Sequence, residues 1–202
     1  MKSKKPKLTV ELIPKTCHFS NVRTMVTPKE WDKIRFIAYE KANNKCEICK
    51  ELGKDQGFKH NLECHEIWEY NDKTYTQKLI GLIALCPLCH QVKHIGRAIA
   101  MGRATKTYEH MSKVNNWTLA EIQQHVDEAF LEYNLRSKHE WELDITLLTN
   151  KPYEIKIKIG KKRKFKVKTY KKKRKRPTKT KTATKKVAVS VRKPNKRPPK
   201  LK

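Results

Sequence analysis

Four cysteines and three histidines carry the chemistry that this sequence offers. Cys46-Glu47-Ile48-Cys49 and Cys86-Pro87-Leu88-Cys89 are two C-x-x-C pairs. Two intervening residues let a tight turn aim both sulfurs at one ion, and two such pairs fill a tetrahedral zinc shell. The spacing therefore predicts a structural zinc on Cys46, Cys49, Cys86 and Cys89; a pair of buried or redox-active dithiols is the other reading. A shell filled by four thiolates leaves no open position, so chemistry must come from elsewhere. Directly after the second pair comes His90-Gln91-Val92-Lys93-His94. On a helix, positions 90 and 94 stack one turn apart, a spacing that suits a divalent metal. His65 supplies a third imidazole. The expected second site is a catalytic divalent ion, magnesium or a transition metal, on His65, His90 and His94.

These residues need elements to hold them. Thr27-Pro28-Lys29-Glu30 reads as a capping box opening a helix with Trp31, Ile34, Ile37, Ala38 and Ala42 along one face. That helix should end near Asn43-Asn44, just before Cys46. Residues 61–70 and 74–85 read as two strands joined at Asn71-Asp72, and Pro87 opens a helix predicted to run to about Met101. A shorter helix is expected over 104–113. Thr118 and Glu121 form another capping box, followed by a long helix striped with Leu119, Ile122, Val126, Ala129, Phe130 and Tyr133. Trp141, Leu143, Ile145 and Leu147 alternate as a strand would, residues 8–14 are a candidate strand, and 153–158 are a candidate last strand. The organisation predicted is a lead-in over 1–26, an α+β zinc-stapled domain over 27–150 and a basic tail over 151–202.

The order C-x-x-C, then Cys64-His65-Glu66-Ile67-Trp68-Glu69-Tyr70, then Leu85-Cys86-Pro87-Leu88-Cys89-His90-Gln91-Val92-Lys93-His94 resembles the HNH endonucleases of bacteria and phages in their four-cysteine zinc variant. The likeness covers roughly residues 10–147. It implies a ββα-metal (HNH, or His-Me finger) core in which one divalent ion assists phosphodiester hydrolysis. Mapped by position, His65 matches the metal ligand of the first strand and His90 the third motif position. Glu66 stands where the family places its general-base His, and Gly81 where it places the middle Asn. The catalytic residues implied are His65, Glu66 and His90, with Glu66 as base or ligand; Asn71 or Asp72 is the candidate to replace the missing Asn. A protein that keeps the HNH scaffold and binds nucleic acid without cutting it is the alternative.

The charge points to the same partner. Residues 151–202 carry 25 Lys and Arg against the single acid Glu154, which accounts for +24 of the chain's +28. Lys161, Lys162, Arg163 and Lys164, and Lys171, Lys172, Lys173, Arg174, Lys175 and Arg176, form dense blocks suited to phosphate contacts on DNA or RNA. Too few apolar residues accompany them to build a core, so the tail is predicted to be disordered. Lys93 and Arg23 are further candidate phosphate contacts. No apolar run approaches the eighteen residues of a membrane span, and the basic start lacks the apolar stretch of a secretory signal. Paired cysteines without such a signal suit a reducing compartment, the cytoplasm of a bacterium or a phage-infected cell.

Overall fold

A computed structural model of the chain describes residues 6–156. The predicted disorder of the tail, the ten tail cations named above and the end of the candidate strand at 157–158 lie outside the described residues. Among the described residues the architecture is α+β: six α-helices and a small sheet in the order β1-β2-β3. Helices α1 (Val22–Met25) and α2 (Pro28–Lys41) come first. The long antiparallel hairpin of β1 (Glu63–Asn71) and β2 (Thr76–Leu85) follows. After it come α3 (Pro87–Lys93), α4 (Ile95–Ala100), α5 (Ala104–Asn115) and α6 (Leu119–Arg136). Strand β3 (Glu142–Asp144) then pairs parallel to β2.

Both capping boxes form as the sequence dictates. Thr27 and Glu30 close one on α2, and Thr118 and Glu121 close the other on α6, each side chain taking an orphan amide of the first turn. The apolar stripes then choose the buried faces: Ile34 and Ala38 on α2, Ile122 and Val126 on α6.

The hairpin divides the apolar interior into two clusters. One packs Leu85, Leu88, Val92, Ile95, Met111, Ile122 and Val126 around the cysteines. The other packs Val22, Ile34, Ala38, Leu79, Leu82, Ile145 and Leu148. Leu79 and Leu82 are three positions apart yet enter the same cluster. A regular strand, with period two, would send them to opposite faces. The register explains it: Ile67 pairs with Gly81 and Trp68 with Leu79, so Ile80 is an extra residue, a β-bulge. Ile80 is accordingly exposed.

Four expectations change in detail. The helix from Pro87 does not reach Met101 unbroken, because His94, at φ −104° and ψ 46°, divides it into α3 and α4. The Lys93 carbonyl, released from the helix ladder, accepts the amide of Glu11 at 3.0 Å. Residues 8–14 form no ladder; side chains help to hold them, with Asn115 Oδ1 accepting the Leu8 amide at 2.9 Å and His125 Nε2 the Val10 amide at 3.0 Å. The lead-in is thus part of the folded body, with Leu8 and Val22 fully buried. The strand after Trp141 stops at Asp144, whose carboxylate accepts the Thr146 amide at 2.9 Å and starts a 3-10 turn over Thr146–Thr149. Residues 153–156 form no strand; Tyr153 and Ile155 fill the second cluster instead. No helix among the described residues is long and apolar enough to cross a membrane.

Candidate metal centres

The first centre is built by two loops that meet at the end of β2. The Glu47 amide donates to the Ala84 carbonyl, and Glu47 Oε1 accepts the Ala84 amide, both at 2.9 Å. This clamps the first C-x-x-C turn to the strand that leads into the second. Cys86 then caps α3, with Pro87 at its first position. Gly53 permits the close approach of the surrounding loop: a Cβ there would stand 2.1 Å from the His60 carbonyl oxygen and 2.7 Å from the Pro87 ring.

The result is four free thiols with all sulfurs within 4.8 Å of one another. Cys49 Sγ and Cys86 Sγ are 3.5 Å apart, near the ~3.8 Å that a tetrahedron with ~2.3 Å zinc–sulfur bonds requires. The four cysteines can hold a metal ion such as zinc. Hydrogen bonding, from Cys49 first, pulls Cys46 down to about 6, and Cys86 is lowered mainly by Cys46, whereas Cys49 and Cys89 are raised. Four bare thiolates this close would repel one another, and a dication bound among them removes that conflict. His110 Nε2 lies 3.1 Å from Cys89 Sγ, and Gln56 Nε2 donates to Cys86 Sγ at 3.2 Å. Neither residue is marked by spacing; both approach from other elements.

The second centre also draws on α3. His65 comes from β1, paired across the hairpin with Ile83. His90 lies on α3 and His94 caps its end. The His94 amide still donates to the His90 carbonyl at 3.1 Å, so the one-turn spacing survives the helix break. The structure brings the three together: ring centroids are 5.3 Å (65–90), 5.0 Å (65–94) and 4.7 Å (90–94) apart, and one ligating nitrogen from each lies within 4.8 Å of the others.

Two carboxylates stand behind the imidazoles. Glu11 accepts from His65 Nε2 at 2.9 Å, and Glu63 from His90 Nδ1. A carboxylate on one ring nitrogen holds the proton there and turns the lone pair of the other outward, the arrangement of metal-binding histidines. Burial alone would raise both acids, but Glu11 is held down at about 2 by His65 and Lys93, and Glu63 at about 2 by His90 and His60. Burial lowers His65, and burial with the neighbouring imidazoles His90 and His65 brings His94 down to about 3. Neutral imidazoles at neutral pH are what a cation needs.

His65 is 3% exposed and forms the back of this centre. In front, His90 and His94 line a cleft of about 180 Å³ together with His60, Glu63, Arg97 and Arg103.

Glu66 does not join this centre. Neighbouring strand residues face opposite sides of a sheet, and Glu66 points to the second apolar cluster, where its Oε1 accepts the Val22 amide at 2.9 Å. Burial pushes its carboxyl up to about 7. Gly81 sits in the bulge, where a Cβ would meet Ile67 Cδ1 at 3.4 Å. Asn71 and Asp72 are six or more residues along the hairpin from His65, roughly 20 Å at the rise of a strand. There Asn71 Oδ1 caps the turn by accepting the amides of Lys73 and Thr74, and Asp72 pairs with Arg136 through both oxygens. Lys93, expected to reach phosphate, is 6% exposed and ion-paired with Glu11; its tether is internal. Cys17 and Cys64 stand apart from both centres as ordinary thiols raised by burial, to about 11 and about 12. His18 stacks on Tyr133.

Sequence reasoning missed Glu11, Glu63 and His60. Glu63 sits two positions before His65 on the same strand face and was legible by that parity. Glu11 lies 54 residues from its partner, and no local signal marks it. No protein-family model matches the chain, and no curated protein and no solved structure matches it.

Proposed function

We propose that the protein is a metal-dependent endonuclease of the HNH type that hydrolyses phosphodiester bonds in DNA. The observation that carries this reading is the convergence of His65, His90 and His94 on an open cleft, with a carboxylate behind two of them. The strand, strand, helix order of β1, β2 and α3 supports the same family resemblance. In this reading the cysteine centre holds zinc and fixes the start of α3. The histidine centre holds a divalent ion, which would polarise the phosphate and stabilise the charge of the leaving oxygen. Three imidazole donors suit a borderline transition ion such as nickel better than a hard ion such as magnesium.

The chain's own residues do the rest. Glu11 and Glu63 orient His65 and His90. Glu66, on the far face of the sheet, has no path to a substrate in the cleft. His60 is the imidazole in the cleft outside the cluster, and its Nε2 is held by Glu63 at 2.8 Å. Imidazole is the side chain most often used as a general base; His60 takes that role here. Substrate is drawn to the protein by the basic tail.

Supercoiled plasmid incubated with the protein and manganese, nickel or magnesium should be nicked. His65→Ala should lower the rate by at least ~100-fold, because a catalytic ion contributes several kcal/mol. Tight DNA binding with no nicking in any of these ions would sink the enzyme reading. It would leave the second one, a nucleic-acid-binding protein on an HNH scaffold, which the placement of Glu66 and the missing side chain at Gly81 favour.

A further inference from the structure

The cleft in front of the histidines has a charged rim that neither metal centre uses. Arg97 lies on α4 just past His94, fixed by its amide's 3.0 Å bond to the His94 carbonyl. The chain then reverses at Gly102, whose φ of 69° is a conformation that glycine adopts without strain. The Arg103 amide closes that turn by donating to the Ala98 carbonyl at 2.8 Å. The turn thus returns a second arginine to the same cleft.

Both arginines are exposed, and neither is in an ion pair among the described residues. The acid that lines the cleft, Glu63, is already shared: one oxygen takes His60 and the other His90. The arginine charge is therefore not neutralised locally. The half-buried arginines of the folded body are matched to carboxylates, Arg35 to Asp32 and Arg136 to Asp72. Two unpaired planar guanidiniums flanking one turn, beside a cluster that can hold a cation, form a site for an anion with several oxygens. A guanidinium fork matches phosphate geometry.

We infer that Arg97 and Arg103 form a phosphate-binding subsite on the rim of the histidine cleft, and that it grips the backbone phosphate of a polynucleotide next to the one presented to the histidines. This rests on the nuclease reading of that cleft for its role in turnover, but not for the binding itself. The subsite sets the register of the strand across the histidines, while the tail supplies affinity without register.

The test uses the full-length protein and a short fluorescent single-stranded oligonucleotide, with no manganese, nickel or magnesium added. Binding is followed by anisotropy across a salt series for the wild type, Arg97→Ala, Arg103→Ala and the double variant. Lys41→Ala, an exposed cation of α2, is the control. Removing one phosphate-binding charge should flatten the slope of log affinity against log salt by about 0.7, so the double variant should show about twice that change. In the nicking assay the same variants should raise KM with little change in kcat, the mark of binding shared by ground and transition states. Arg97→Lys should recover part of the slope, because the charge returns without the fork. Slopes for both alanine variants equal to that of Lys41→Ala would overturn the subsite, whether or not the wild type cuts. Flattened slopes in a protein that never nicks would uphold the subsite and remove the nuclease reading.

Discussion

The cysteine centre and the histidine centre are built from the same helix, and they differ in what surrounds them. Cys46, Cys86 and Cys89 are fully buried, with Gln56 donating to the Cys86 sulfur and His110 in hydrogen-bond contact with that of Cys89. His65 is buried too, but His90 and His94 look onto a cleft, and carboxylates back His65 and His90. Four sulfurs close a coordination shell and can only hold structure together. Three nitrogens leave room at an ion, and the cleft lies where that room is needed. The lesson is that α3 joins a closed ligand set to an open one: Cys86 and Cys89 lie at its start, and the positions one and five residues after Cys89 carry the imidazoles.

Substitutions can break that contrast, and the largest effect belongs to the staple. Apparent binding energies of structural zinc are about 10–16 kcal/mol in zinc-finger peptides, as large as the stability of a whole domain. Cys46→Ser should therefore abolish cooperative thermal unfolding followed by circular dichroism, together with bound zinc. A melt unchanged from wild type would show that the cysteines are no staple. Next comes His60→Gln, which should cut the nicking rate by about 10²–10⁴, the usual worth of a general base, while bound-metal content stays the same. Loss of metal along with activity would make His60 a ligand and not a base.

Glu11→Gln tests whether the lead-in tunes the histidine centre. It removes the acceptor charge behind His65 and should weaken manganese binding at that centre by about 10–100-fold, the usual cost of removing an outer partner. Isothermal titration on zinc-loaded protein reads this directly, and an unchanged affinity would leave Glu11 a packing residue. The smallest effect should come from Glu66→Gln. The Glu66 carboxyl is raised from its ordinary 4.5 to about 7 by burial, so the folded state holds its proton where the unfolded state has released it. Its stabilising share is complete below about pH 4.5 and fades as pH rises through 7. The glutamine variant should melt a few degrees above wild type at pH 8, flatten the pH profile between 4.5 and 7, and nick DNA at the normal rate. A collapse of nicking in this variant would restore Glu66 to the reaction.

What the sequence disclosed follows from range. Capping boxes are read within four residues, so the starts of α2 and α6 were legible at Thr27 and Thr118. C-x-x-C pairs and an imidazole pair one turn apart are equally local, so the two ligand sets could be named before any fold was known. The strand over 61–70 was legible as well, but its consequence, that His65 and Glu66 face opposite sides, was not drawn from it. The resemblance to a known motif order drew them into one site, and the pleat separates them.

The remainder was decided by tertiary structure, because it depends on partners far away in the chain. The break at His94 accompanies a Lys93 carbonyl taken by Glu11. The bulge at Ile80 brings Leu79 and Leu82 into one apolar cluster. Glu11 reaches His65 across 54 residues, and Lys93 turns inward to meet it. The sequence by itself determined which atoms could bind metal and where helices begin, since those properties need only near neighbours. Which nitrogens face outward, which carboxylate stands behind each, and which arginines remain unpaired depend on the packing of distant segments, and only the folded chain supplies that.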